Sequence, residues 1–219
     1  QTRSKDGLTT QYFYDIENRL TQVKKAGAIQ ARYSYDADRA RTRKVHYVTG
    51  DPVPPSAPQI TWYVDGLYQK NNLGQQTDHI FMGGQRVASV QNGQLQYYHA
   101  DHLGGANVLT GGNGEVLEVS EYEPYGRISS HQTYGSTGQL AWYYYTGQEL
   151  DGEVGLYYYG ARHYDPALGR FLQADSIVQD PLNPQTLNRH AYTANNPINR
   201  VDPSGNSWES SKIEASSDN

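Results

Sequence analysis

The sequence predicts an all-β fold: antiparallel hairpins laid side by side as a curled strip or shell cap, with at most short helices. Three observations predict it. Apolar and polar residues alternate with period two through most apolar segments. Tight-turn signals such as Asn92-Gly93 and Gly111-Gly112-Asn113-Gly114 fall between those segments. A tyrosine–aspartate pattern also repeats: Tyr12-Phe13-Tyr14-Asp15 returns twenty-one residues later as Tyr33-Ser34-Tyr35-Asp36.

Composition narrows the class. Of 219 residues only 36% are hydrophobic, yet there are 20 Tyr against 3 Phe and 3 Trp. Tyrosine brings large apolar area and a hydroxyl that needs a partner, which suits thin layers and a wetted wall better than a thick core. With no cysteine, disulfides, thiolate metal sites and cysteine nucleophiles are excluded. Net charge is −5 and no basic stripe stands out, so nucleic acid is not an expected partner. No segment reaches the roughly 18 apolar residues of a membrane span. Gln1-Thr2-Arg3-Ser4-Lys5 is no signal peptide and reads as a cut within a longer chain.

Along the chain, residues 1–50 hold the tyrosine–aspartate repeats, each a hairpin that turns at its aspartate. Trp62-Tyr63-Val64-Asp65-Gly66 reads as a degenerate third copy. Single hairpins are only marginally stable, so the copies must stack edge to edge. Residues 51–58 contain four of the ten prolines and form a loop. Residues 59–129 continue the hairpins, turning at Gly83-Gly84, Asn92-Gly93 and Gly111–Gly114. Residues 130–206 form a further unit. It opens with a polar stretch, 130–140, expected to be loop, and its one short helix is expected over Leu187 to Ala194. Residues 207–219 lack periodicity and read as a tail or the stub of a further region.

Three blocks are more specific. They are Tyr98-His99-Ala100-Asp101-His102-Leu103-Gly104 with Tyr122-Glu123-Pro124-Tyr125-Gly126; Gly155 to Pro166 (GLYYYGARHYDP) with Gly169-Arg170-Phe171; and Asn195-Asn196-Pro197 with Val201-Asp202-Pro203-Ser204-Gly205. Together with the tyrosine–aspartate copies, residues 10–206 resemble the Rhs-repeat-associated core and YD-repeat shell of bacterial Rhs proteins. They are also similar to the C components of insecticidal Tc toxins and to teneurin-like shells. The resemblance implies a spiralling β shell closed by a plug, in a secreted or cell-surface bacterial protein. Its partners would be the rest of its own shell and an encapsulated C-terminal toxin. The alternative is a surface or adhesion scaffold without cargo or cleavage.

The resemblance also implies, at most, a single-turnover aspartyl autoprotease cutting after the Asp-Pro-Ser-Gly motif. Asp202 is the motif aspartate, Asp175 its partner, Asp180 the fallback, and Arg170 an orienting cation. This chain departs from the pattern at Ser176, where proline is usual, and at Asn206, where an apolar residue is usual. Read from the residues alone, all three aspartates are turn caps. Arg162 and Arg170 read as cations that orient carboxylates or stack on rings.

His99, Asp101 and His102 form a weak metal pattern without a further ligand, and read structurally as packing beside the Gly104-Gly105 turn. The triplets Tyr143–Tyr145 and Tyr157–Tyr159 read as core, or else as a face for a surface glycan or receptor. No cofactor is expected: there is no phosphate-binding glycine loop and no Ser-His-Asp arrangement stands out.

Overall fold

The computed structural model describes residues 1–5, 7–47, 58–135 and 141–211. Thirteen strands pair antiparallel, each with its chain neighbours: β1 (Thr2–Lys5), β2 (Leu8–Tyr14), β3 (Leu20–Lys25), β4 (Ala28–Tyr35), β5 (Arg41–His46), β6 (Gln59–Val64), β7 (Tyr68–Asn71), β8 (Gln76–Met82), β9 (Gln85–Gln91), β10 (Gln94–Ala100), β11 (Ala106–Gly111), β12 (Val116–Tyr122) and β13 (Ile128–Thr133). A second, four-stranded sheet holds β14 (Glu149–Asp151), β15 (Leu156–Tyr158), β16 (His163–Asp165) and β17 (Arg170–Phe171). A short pair, β18 (Arg200–Val201) and β19 (Glu209–Ser210), ends the described chain.

One turn is reused at Asp15, Asp36, Asn71, Asp101, Gly111 and Glu123. In each, the first residue's carbonyl accepts the amide three residues on, at 2.7–3.3 Å. Its own N–H donates to the carbonyl four residues on, at 2.8–3.0 Å. The fourth position has positive φ and is Asn18, Arg39, Gly74, Gly104, Gly114 or Gly126. At Asp15, Asp36, Asn71 and Asp101 the side chain adds a cap, its Oδ1 accepting turn amides at 2.8–3.0 Å. The tyrosine–aspartate repeat and the His99–Gly104 block are therefore one device with different residues. The expected third copy differs: Tyr63 points inward, but Val64 and Tyr68 pair across a three-residue loop, Asp65–Leu67, with φ +49 at Asp65 and +66 at Gly66.

The strip must curl. Neighbouring strands lie about 4.8 Å apart, so thirteen laid flat would span about 57 Å. Yet residues 141–211 touch both ends of it. Asp165 on β16 pairs with Arg3 on β1, while Ala141 donates to Glu118 on β12 at 2.9 Å and Tyr144 packs on His131 of β13. The small sheet and its loops thus sit inside the curl.

The interior is tyrosine and polar residues rather than aliphatic ones. Tyr145, Tyr157, Tyr159, Tyr164, Phe171 and Tyr192 are buried ring against ring, with neighbouring centroids 4.7–6.5 Å apart. Three of the tyrosine hydroxyls find carbonyls on the wall. Tyr145, Tyr164 and Tyr157 donate to Pro124, Tyr125 and Gly126 at 2.8, 2.8 and 3.0 Å. Three consecutive carbonyls of the β12–β13 turn thereby anchor the inner unit. Both triplets lie largely in this interior, so they offer no exposed face to a sugar.

A buried ion cluster adds a second anchor. Arg41 of β5 reaches Asp151 at 2.8 Å and Glu149 at 2.6 Å, and Lys44 reaches Asp151 at 2.7 Å and Glu149 at 3.2 Å. Tyr63 donates to Glu149 at 2.8 Å, and Arg41 lies 4.2 Å from the centre of the Tyr158 ring. Burial acts against the charged forms, but the partners overcome it. Asp151 is held below the usual carboxylate range, while Arg41 and Lys44 are held well above theirs.

Two expectations need correction. The helix expected over Leu187 to Ala194 does not form. One-turn 3-10 segments flank it at Pro184–Thr186 and Thr193–Asn195, the latter with φ +48, +51 and +62. The carbonyls of Arg189 and His190 are instead used on the amides of Asp175 and Phe171, at 2.8 and 3.0 Å, so the segment pairs beside β17. The polar stretch from residue 130 is not all loop: through Thr133 it belongs to β13, most of whose residues are exposed. Residues 136–140, residues 51–57 of the proline-rich loop and residues 212–219 of the tail lie outside the described residues.

Candidate functional site

The site is built where the Asp202–Gly205 motif docks on the β15–β16 connection. The β16 strand begins just after Arg162, and its register with β15 and β17 fixes where that side chain starts. Gly205 has φ +74, and a Cβ there would lie 2.6 Å from the Tyr159 carbonyl. Only glycine fits so close to another backbone. The Ala161 amide donates to the Ser204 carbonyl at 3.0 Å, which pins the motif from the other side.

Arg162 is the hub. It is 5% exposed, and its guanidinium lies 3.7 Å from the centre of the Phe171 ring. One terminal nitrogen contacts Asp175 Oδ2 at 2.9 Å and Asp202 Oδ2 at 3.2 Å. The other donates to the Arg189 carbonyl at 3.1 Å, and Nε donates to the carbonyl of Gly205. Burial lowers the Arg162 guanidinium, and the two aspartates oppose that shift.

Asp202 is 2% exposed. Its Oδ1 accepts the amides of Gly205 at 2.8 Å and Ser207 at 3.2 Å. Burial raises its carboxyl above the usual range; Arg162 and the two amides pull it down, and Asp175 adds to the rise. Asp175 is positioned by Arg189, whose carbonyl accepts the Asp175 amide at 2.8 Å and whose Nε donates back to the Asp175 carbonyl at 2.5 Å. Its Oδ1 caps Ile177 N at 2.9 Å, leaving Oδ2 for the guanidinium.

The structure thus brings Asp175 and Asp202 together, across a shared cation rather than a shared proton. Asp180 is not part of the group. It is exposed, its Oδ1 caps Leu182 N at 3.1 Å, and its carbonyl accepts Asn183 N at 3.1 Å. Arg170 does not orient the pair either: it is exposed on β17, where its backbone pairs with Asp165. The cation between the aspartates is Arg162. The sequence signal for it was its place in Gly160-Ala161-Arg162-His163-Tyr164, between two strands that must bury a turn. His99, Asp101 and His102 turn to three different partners: Thr110, the β10–β11 turn amides and the Ile198 carbonyl.

Chemically, the arrangement polarises the Gly205 carbonyl with a guanidinium and holds two carboxyls beside it. Attack at that carbonyl would place negative charge next to Arg162.

Comparison with known proteins agrees with this architecture. The chain is 30% identical over 212 residues to the tRNA3(Ser)-specific nuclease WapA of Bacillus spizizenii, covering 93% of this chain and 9% of that protein. It is 28% identical over 187 residues to the toxin subunit YenC2 of Yersinia entomophaga, covering 84% of this chain and 15% of that one. The chain therefore spans a small part of the length of these relatives. The crystal structure of TcdB2-TccC3-Cdc42 superposes with a TM-score of 0.75 at 23% identity, over 90% of this chain and 10% of that one. The teneurin YD-shell profile matches residues 6–198, and the chain belongs to that family.

Proposed function

We propose that the chain is the closing section of a YD-shell container in a secreted or surface bacterial protein of toxin type. Residues 1–50 and 59–129 are wall, residues 130–206 are the plug, and residues 207–219 begin the region that leads to an enclosed effector. The observation that carries this is the reach of residues 141–211 to both ends of the thirteen-stranded strip, from Arg3 to His131. A unit seated inside the curl closes it. The edges β1 and β13 each have one neighbour among the described strands, so further wall of the same shell is their partner.

In this reading the cargo is freed by one cut shortly after Ser204-Gly205. Asp175 or Asp202 takes a proton from water and passes it to the leaving amine, while Arg162 draws charge onto the Gly205 carbonyl oxygen. Addition of water there leaves a carboxylate on Gly205 and a new amino terminus on Asn206. A second reading, a scaffold without cutting, is favoured by the use of Asp202 Oδ1 on two backbone amides, which is what a turn cap does.

The test is mass spectrometry of the full-length parent protein after prolonged incubation. Cutting gives two fragments meeting near residue 206, and Asp202→Asn, Asp175→Asn and Arg162→Gln leave the chain whole. An intact wild-type chain rejects cutting and leaves the scaffold reading.

A further inference from the structure

Arg86 on β9 stands apart from the buried cations. Arg41 and Arg162 each contact two carboxylates, and Lys44 contacts three. Arg86 is half-buried and has no ion pair among the described residues. Its guanidinium lies 3.1 Å from the centre of the Tyr143 ring and 4.9 Å from that of Phe81. One terminal nitrogen donates to the Gly147 carbonyl at 3.3 Å, and Nε is buried without a partner. Burying a cation without a counter-charge is costly, and the cost is recovered when an anion arrives.

The space for one is present. Arg86 lines a cavity of about 540 Å³ between the wall, the Tyr143–Gln148 segment and the chain near Val201 and Ser211. That volume is within the ~300–1,000 Å³ of small-molecule sites. Its apolar lining comes from Phe81, Tyr98, Leu103, Ala106 and Tyr143. Two polar neighbours are already committed: Gln148 donates to the Pro203 carbonyl at 3.0 Å, and His102 bonds the Ile198 carbonyl at 3.0 Å. Glu209 also lines the cavity but is exposed and makes no ion pair with Arg86. Among the charged side chains lining the cavity, Arg86 offers a planar cation amid aromatic rings, which fits a carboxylate on an apolar body.

We propose that this cavity is a binding site for a carboxylate carried on an aromatic or branched apolar body, with Arg86 as its anchor and the Tyr98, Tyr143 and Phe81 rings as its walls. Asp175 and Asp202 do not line this cavity, although Val201 and Pro203, on either side of Asp202, do.

Two carboxylates distinguish the sources. Phenylacetate stands for a free small acid and N-acetylphenylalanine for a peptide chain end. Each is titrated into the protein by NMR beside its neutral counterpart, phenylacetamide or N-acetylphenylalaninamide. Saturable binding of either carboxylate is expected, at least tenfold tighter than its amide and at least tenfold weakened in Arg86→Gln. The tighter acid names the source. No saturation by either acid at 10 mM, on the order of the weakest useful affinity for so few contacts, overturns the proposal. So do equal affinities for acid and amide, a comparison made on the unchanged protein and so unaffected if Arg86→Gln folds poorly.

Discussion

Arg41 on β5 and Asp151 on β14 are 110 residues apart in the chain and meet at 2.8 Å, both out of contact with water. Each has further partners in the same cluster, since Arg41 also holds Glu149 and Asp151 also holds Lys44. The cluster therefore fixes which part of the wall the inner sheet sits against.

Removing one member should cost far more than a surface pair. Arg41→Met leaves buried Glu149 and Asp151 to share Lys44 with Glu153, and the expected loss is about 3–5 kcal/mol of unfolding free energy. Arg39→Met, which removes an exposed contact with Glu17 at 3.7 Å, should cost less than about 1 kcal/mol. Urea denaturation of both variants decides it. Similar small losses would mean the cluster is a passenger of the packing rather than an anchor.

The same region predicts acid sensitivity. Burial lowers the His163 imidazole from 6.5 to about 3; Asp151 raises it in part, and Arg41 and Lys44 lower it. Burial, with Arg86 adding, also brings His79 to about 3. Both folded values are depressed, so below 6.5 the unfolded chain binds protons that the folded chain refuses. Stability is then complete above that value and falls as pH drops. At pH 5 the loss is about 2 kcal/mol per histidine. The depressed Asp151 adds to this further down: its contribution is full above about 3.8 and goes as pH falls toward its folded value. Urea midpoints measured at pH 7.5 and pH 5 test the sign. Equal midpoints would contradict it, and His163→Asn should recover about half of the drop.

Much of the wall was legible because its signals are local. Period two and the glycine turns depend only on neighbours, so β8 to β12 fall where alternation places them. The shared turn was legible as a repeat only at Asp15 and Asp36, because elsewhere its first position is Asn71, Gly111 or Glu123, or Asp101 without the Tyr-x-Tyr-Asp pattern, and what unites them is backbone geometry. The two aspartates of the site were reached through family resemblance, and the choice between Asp175 and Asp180 needed tertiary structure. Nothing local distinguishes them: both cap the amide two residues on. Only the buried guanidinium of Arg162 separates them, and its approach depends on where β16 packs. The expected helix failed for a similar reason, since the carbonyls of Arg189 and His190 are claimed by a distant strand.

The docking of the motif gives the last prediction, which rests on one methyl group. Gly205 and Gly27 share a left-handed backbone, φ +74 and +82, but only Gly205 is crowded: a Cβ there meets the Tyr159 carbonyl at 2.6 Å, whereas at Gly27 nothing lies within 4 Å. Alanine at Gly27 should therefore cost only the backbone penalty, about 1–2 kcal/mol. Alanine at Gly205 adds a clash with backbone that β15 holds in place, so the motif itself must lift. That movement takes the Gly205 carbonyl from Arg162 and the Ser204 carbonyl from Ala161, and leaves Asp202 buried beside a cation with its two amides displaced. Hydrogen exchange reads the difference. In Gly205→Ala the amides of Ala161, Gly205 and Ser207 should exchange at least tenfold faster while those of β2 to β4 stay protected; in Gly27→Ala the Asp202 motif should keep its protection. If Gly205→Ala leaves these three amides as slow as in the wild type, the motif is not held by that close approach, and the polarised Gly205 carbonyl loses its structural basis.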